Sequence, residues 1–176
     1  ILRLLSDTTN TIAEGEVEQP ARAGDPDATE AQYTQIIGKK TALLFAAAAE
    51  GAALPAGAAP GTRAAMHDYG MNLGLAFQLI DDVLDYTGDP EEMGKNLGDD
   101  LAEGKPTLPL IHAIAHADPA AAAAVREAIL GRNRDALAQI VTTVQACGAL
   151  DYTRRRAGHH RDLALAALKH VPDSTF

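Results

Sequence analysis

The stretch from about Thr62 to Tyr86 constrains this chain more than any other, because its side chains sort into faces when wound as an α-helix at 100° per residue. With Gln78 set at 0°, Met66, Leu73, Phe77, Ile80 and Leu84 fall between about 200° and 260°. That apolar arc is predicted to face the core. Asp81, Asp85, Gln78 and Asp82 fall at about 300°, 340°, 0° and 40°, so four polar side chains share the neighbouring face over two turns. Composition agrees with a helical chain: 36 of 176 residues are Ala, Trp is absent and aromatic residues make up 4%. Such a bias suits helices and starves sheets. The predicted fold class is all-α, in one helical domain over residues 1–176.

Other helices follow from period and punctuation. Leu2, Leu5, Thr9 and Ile12 recur at spacings of three and four, predicting a helix that ends in the polar stretch Glu14–Pro20. After a Gly-, Asp- and Pro-rich loop from Ala21 to Ala28, Thr29 can cap a helix running to about Glu50, with Glu30 in its first turn and Tyr33, Ile36, Ile37, Leu43, Leu44 and Phe45 on its apolar positions. Gly51 to Gly61 breaks it, and Gly88-Asp89-Pro90 ends the long helix. Gly94 to Gly104 reads as a loop. Helices are then predicted from Thr107 to about Ala117, from Pro119 (capped by Asp118) to Leu130, from Asp135 to Ala146, and from Leu150 to about Lys169. No internal repeat and no strand-period segment of useful length is found.

Lys and Arg number 15 against 24 Asp and Glu, a formal charge of −9. A chain so charged lacks the basic footprint that phosphate backbones demand, so nucleic acid is not expected as a partner. No run approaches the roughly 18 apolar residues a membrane span needs. Cys147 is the one cysteine, which excludes an internal disulfide and a thiolate metal cluster and predicts a reducing, cytoplasmic setting. It reads as a small core filler. His112 and His116 stand at i, i+4 without a third ligand at a sensible spacing and read as a solvent face. Arg154-Arg155-Arg156 and Arg161 read as solvated charge with carboxylate partners such as Asp151 and Asp162.

Asp81, Asp82 and Asp85 bring three like charges to one helical face, where mutual repulsion of a few tenths of a kcal/mol per exposed pair adds no stability. A cation is one reading and a solvated acidic face with distant Lys partners is the other. Mg²⁺ suits the first, since it takes oxygen ligands from one or two carboxylates together with substrate phosphates. Lys95 follows Gly94, and Lys105 follows Gly104, so each lysine sits on a Gly-flanked loop past the acidic helix. Lys40-Thr41 supplies a further cation and a hydroxyl. Each lysine alone reads as ordinary surface decoration; together with the acidic helix they point to a diphosphate site without fixing a reaction.

The run Phe77-Gln78-Leu79-Ile80-Asp81-Asp82-Val83-Leu84-Asp85-Tyr86, followed by Gly94-Lys95-Asn96-Leu97-Gly98-Asp99-Asp100-Leu101-Ala102-Glu103-Gly104-Lys105-Pro106-Thr107, resembles the second aspartate-rich motif and following loop of trans-prenyl diphosphate synthases, the polyprenyl synthetase family. Ala13-Glu14-Gly15-Glu16-Val17-Glu18-Gln19 and Lys40-Thr41-Ala42-Leu43-Leu44-Phe45 resemble two further motifs of that family in the right order. Within the family the pattern is most similar to the long-chain bacterial type that makes octaprenyl diphosphate.

The resemblance implies an isoprenoid synthase helical bundle around a central cavity, usually a homodimer. It condenses an allylic diphosphate such as farnesyl diphosphate with isopentenyl diphosphate head-to-tail, for isoprenoid quinone side chains. Carried over by position, Asp81, and with it Asp82 and Asp85, would bind Mg²⁺ on the allylic diphosphate. Lys40, Lys95 and Lys105 would neutralise the departing diphosphate, and Thr41 and Gln78 would stabilise the allylic cation. Gln19 would lie near the metal cluster, with Asp99 as a supporting carboxylate. The family's first aspartate-rich motif and upstream basic residues should precede Ile1, and a further helix should follow Phe176. The chain therefore reads as the C-terminal portion of a longer synthase, and the 176 residues alone are expected to show no turnover. Two alternatives stand beside this reading: a non-catalytic partner subunit of a heteromeric synthase, and a cation-cyclising terpene synthase, which shares the ionisation chemistry but against which the Gly94–Pro109 loop argues.

Overall fold

A computed structural model describes residues 1–88, 97–171 and 173. The described residues form α-helices with one π-helical turn, one 3₁₀ turn and no strand: α1 (Leu2–Arg22), α2 (Glu30–Ile37), the π turn (Gly38–Ala42), α3 (Leu43–Ala53), α4 (Pro60–Thr87), α5 (Asp99–Ala102), α6 (Leu108–His116), α7 (Pro119–Gly131), the 3₁₀ turn (Arg134–Ala136), α8 (Leu137–Ala146) and α9 (Ala149–Leu168). The all-α expectation holds. The chain divides into two compact units, one of Ile1–Val17, Gln35–Gln78 and Ala157–Phe176, the other of Glu18–Thr34 and Leu79–Arg156.

Several helix ends follow from the capping chemistry of the sequence. Thr29 and Gln32 form a reciprocal box: the Gln32 amide donates to Thr29 Oγ1 at 3.3 Å, and the Thr29 amide donates to Gln32 Oε1 at 2.9 Å. Asp118 accepts from the amides of Ala120 and Ala121, both at 3.0 Å, ahead of Pro119 at the first helical position. Asp118→Ala is expected to destabilise the protein by about 1 kcal/mol, read as a lowered thermal midpoint by circular dichroism; an unchanged midpoint would mean that the cap contributes nothing.

α5 (Asp99–Ala102) lies inside the stretch read from sequence as a loop, and two helix boundaries differ from expectation. α1 continues through Gly15 and Pro20 to Arg22. Proline in a last turn removes few helical hydrogen bonds, and the buried Gly15 packs rather than breaks the helix. The helix expected from Thr29 to Glu50 is interrupted by the π turn at Gly38–Ala42, five residues containing Lys39, Lys40 and Thr41.

In the first unit the packing is close because the facing residues are small. A Cβ on Gly70 would lie 2.4 Å from the Phe45 carbonyl oxygen, and one on Gly74 would lie 2.5 Å from Ala42 Cα. α4 thus rests almost backbone to backbone on the π turn and α3, with Phe45 and Phe77 ring centroids 5.5 Å apart beside the contact. Gly15 approaches the Lys40 amide in the same way, at 2.9 Å from its built Cβ. Arg63 pairs with Glu50 at 2.9 Å.

The second unit has a conventional core of Val83, Tyr86, Leu101, Leu110, Ala113, Val125, Ala128, Ile129, Ile140, Val144, Ala149 and Leu150, all buried. Cys147 packs against its edge, half-buried, as the filler reading expected. Arg154 pairs with Asp151 at 3.0 Å, and in the first unit Arg161 pairs with Asp162 at 2.8 Å, also as expected. His112 departs from the solvent-face reading: it is half-buried, its ring stacked on His116 at 3.9 Å and on Tyr152 at 4.3 Å.

The roll of α4 is the main correction. Leu73, Phe77, Ile80 and Leu84, the expected core arc, are 37%, 56%, 40% and 39% exposed, whereas Leu75, Ala76, Leu79, Val83 and Tyr86 are buried. On the 100° wheel the buried set centres near roughly 100° instead of 230°. The helix carries apolar residues on two faces, and periodicity alone does not say which one the rest of the chain covers. The corrected roll brings Asp82 and Asp85 to the border of the buried face, each 1% exposed.

Candidate functional site

The acidic end of α4 belongs to the second unit. Asp81 is half-buried, whereas Asp82 and Asp85 are enclosed, and a buried carboxylate must find donors. Asp82 Oδ2 accepts a 2.6 Å hydrogen bond from the hydroxyl of Tyr33 on α2, itself 7% exposed. Asp85 Oδ2 accepts from the Asp100 amide at 3.3 Å, and the Asp85 carbonyl accepts from the Gly98 amide at 3.0 Å. Gly98 has φ of 74°, a left-handed turn that only glycine adopts at little cost, and it starts α5 beside the acidic helix.

Asp100 also holds Lys105, whose Nζ lies 3.0 Å from Asp100 Oδ1 and 2.7 Å from Glu103 Oε2. Burial pulls the Lys105 ammonium down, but the hydrogen bonds and charges of Glu103 and Asp100 outweigh it, and the net shift is upward. Lys105 therefore stays charged throughout the physiological range. The loop carrying it is tied down by the Gly24 amide, which donates to the Gly104 carbonyl at 2.8 Å. Asp99 lies toward Arg134, at 3.3 Å, whereas it is the backbone amide of its neighbour Asp100 that meets Asp85.

In the first unit, the π turn and the middle of α4 bring Thr41 and Gln78 together: Thr41 Oγ1 donates to Gln78 Oε1 at 3.0 Å. Lys40 Nζ lies 3.2 Å from Glu16 Oε2, and Lys39 Nζ lies 3.6 Å from Glu14 Oε2, so the acidic residues of α1 hold both lysines of the turn. π turns widen a helix by one residue and recur at functional sites. Lys95 lies outside the described residues.

The residues singled out from sequence thus fall in two sets, Lys40, Thr41 and Gln78 in the first unit and Asp81, Asp82, Asp85 and Lys105 in the second. Among the described residues, no three His, Cys, Asp or Glu side chains are drawn into a ready-made metal cage. A dication that keeps its waters and shares substrate phosphates needs only one or two carboxylates, and the donor set of carboxylate oxygens at Asp81, Asp82 and Asp85 fits Mg²⁺ on those terms.

Sequence reasoning passed over Tyr33 and Asp100. Tyr33 was assigned to an apolar stripe, yet a buried tyrosine usually finds a partner for its hydroxyl, and that was the available signal. Tyr86 is a second buried phenol, facing Thr107 with neither hydroxyl in a hydrogen bond of ordinary geometry. Burial raises both tyrosines well above 10; the acidic neighbours, Asp82 first for Tyr33, add to it. Their protonated state is favoured by folding, so the stability they contribute is complete below pH 10 and is lost as pH rises beyond it. Titration followed at 295 nm is expected to show Tyr33 and Tyr86 resisting ionisation until alkaline unfolding; ionisation of all four tyrosines near pH 10 with the helices intact would contradict this.

The helical chain, its acidic helix and the lysine-bearing loop behind it are accounted for by one family. Residues 1–146 match the polyprenyl synthetase family model, and the chain belongs to that family. It is 49% identical over its whole length to the octaprenyl diphosphate synthase of Escherichia coli (strain K12), covering 55% of that protein. To the geranyl-diphosphate-specific all-trans-nonaprenyl-diphosphate synthase of Rhodobacter capsulatus it is 46% identical, again over its whole length and 54% of that protein. A polyprenyl synthase from Caulobacter crescentus CB15, solved with calcium and isoprenyl diphosphate, superposes with a TM-score of 0.93 at 45% identity, over 98% of this chain and 53% of that one. The chain spans about half the length of the curated relatives it matches. Among the described residues no helix is long and apolar enough to cross a membrane.

Proposed function

We propose that the complete protein is a trans-prenyltransferase that extends an allylic diphosphate such as farnesyl diphosphate with isopentenyl diphosphate, releasing diphosphate, to make a polyprenyl chain for isoprenoid quinones. Mg²⁺ as the metal, a homodimer, a cytoplasmic location and a single helical domain of which this chain is the C-terminal portion belong to the same reading. The observation that carries it is the state of the acidic helix: Asp82 and Asp85 are enclosed and hydrogen-bonded while Asp81 keeps access to solvent.

In this reading Asp81, with Asp82 and Asp85, holds Mg²⁺, which when bound supplies charge to the diphosphate leaving group. Breaking the allylic C–O bond sends the electron pair to diphosphate, and Lys40, Lys95 and Lys105 offset the charge that develops there. Lys105 is suited to this because its acidic neighbours keep it protonated. Thr41 commits its proton to Gln78 and so presents oxygen lone pairs, which stabilise the allylic cation while the double bond of isopentenyl diphosphate attacks it. A carbon–carbon bond forms, and the proton lost in regenerating the double bond goes to the released diphosphate.

The test is transfer of labelled isopentenyl diphosphate onto farnesyl diphosphate by the complete gene product, with the products dephosphorylated and resolved by length. Label in a discrete long-chain band that requires divalent metal supports the reading; no incorporation overturns it. Relatives named for eight- and nine-unit products match this chain almost equally well, so the band's position is the measurement that assigns the product.

A further inference from the structure

We propose that Tyr33 is a positioning residue of the acidic helix, fixing Asp82 through a neutral hydrogen bond so that Asp81 is held in place. The inference rests on the reading of Asp81–Asp85 as the metal-binding face. Tyr33 and Asp82 lie 49 positions apart, so their 2.6 Å bond is a tertiary clamp between α2 and α4. It is made where both residues are almost completely enclosed, at 7% and 1% exposure, and a bond to a carboxylate there is short and strong.

The choice of donor matters. Asp100, in the same unit, is met instead by the Lys105 ammonium at 3.0 Å. A phenol satisfies a carboxylate oxygen equally well and brings no positive charge with it. The clamp therefore fixes Asp82 Oδ2 without adding a positive charge of its own. Asp81 is the next residue on the helix, about 100° around from Asp82. Fixing the roll at Asp82 fixes the direction of the half-buried Asp81 carboxylate, as supporting partners of metal ligands do elsewhere.

The experiment uses the complete gene product, with Mn²⁺ as a spectroscopic probe and inorganic pyrophosphate present, and reads free Mn²⁺ by electron paramagnetic resonance. Tyr33→Phe is expected to weaken Mn²⁺ binding about 10-fold or more at a temperature where its circular dichroism matches that of the wild type. Asp81→Ala is the reference for loss of the metal site. If Tyr33→Phe binds Mn²⁺ as the wild type does while Asp81→Ala does not, the role of Tyr33 is overturned and the metal reading stands. If Asp81→Ala also binds normally, the metal reading falls and takes this inference with it. Tyr33→Phe/Asp82→Asn, which strands no buried charge, carries the test should the single variant fail to fold. Affinity equal to that of Asp82→Asn alone supports action through Asp82; a further 10-fold loss on the order seen for supporting residues would mean that Tyr33 acts elsewhere.

Discussion

Under the proposed reaction, replacing Asp81 with Ala in the complete gene product is expected to lower the yield of long-chain polyprenyl diphosphate by about 10³-fold, close to 4 kcal/mol of barrier. The size follows from the chemistry. Ionising a carbon–oxygen bond in apolar surroundings places charge on a leaving group that water does not reach, and a fixed counter-charge is the main means of lowering that barrier. Asp81 is the half-buried member of its cluster, whereas Asp82 and Asp85 are enclosed and hydrogen-bonded, so on that reading its loss removes a cation ligand with little disturbance of packing. The comparison variant is Asp151→Ala, which removes an exposed carboxylate paired with Arg154 at 3.0 Å and should leave the yield within about twofold. Equal yields from Asp81→Ala and the wild type would remove Asp81 from the reaction.

Gly74→Ala is expected to destabilise the protein although alanine is the better helix former. Propensity favours the substitution by about 1 kcal/mol. Against it, the new Cβ would lie 2.5 Å from Ala42 Cα and 3.0 Å from Ala42 Cβ, and a backbone cannot swing aside as a long side chain can. Overpacking of this kind typically costs 1–3 kcal/mol, about 3 where backbone meets backbone, so a net loss of about 2 kcal/mol is expected. That corresponds to a fall of roughly 4–8 °C in the thermal midpoint for a domain of this size. Gly70→Ala, 2.4 Å from the Phe45 carbonyl oxygen, should behave alike. Melting curves followed at 222 nm decide the sign, and a raised midpoint for either variant would mean that α3 and α4 have room to part.

What the sequence disclosed depended on how local the signal was. Helix starts at Thr29 and Asp118 were readable because a cap is a contact within three residues. The grouping of Asp81, Asp82 and Asp85 was readable for the same reason, as one helix sets it. The roll of α4 was not: Leu73 and Phe77 form as plausible a core stripe as Leu79 and Val83, and only the partners in space choose between them. Tyr33 escaped because its partner lies 49 residues away, and Asp100 because adjacent aspartates on a short helix face different ways, Asp99 toward Arg134 and Asp100 toward Asp85 and Lys105. The pairing of Thr41 with Gln78, in contrast, was foreshadowed by their shared place in the family pattern rather than by any periodicity.

The π turn at Gly38–Ala42 also bears on how this chain tolerates changes of length. A π turn is an α-helix carrying one surplus residue, so the segment is a stored insertion. Deleting a single residue there would let the helix relax to ordinary winding and rotate α2 by about 100° relative to α3. Thr41 would then leave Gln78, and Lys40 would leave Glu16, while every helix kept its composition and length. A shortening this small, neutral in most surface loops, would here act as a change of address for two side chains at once.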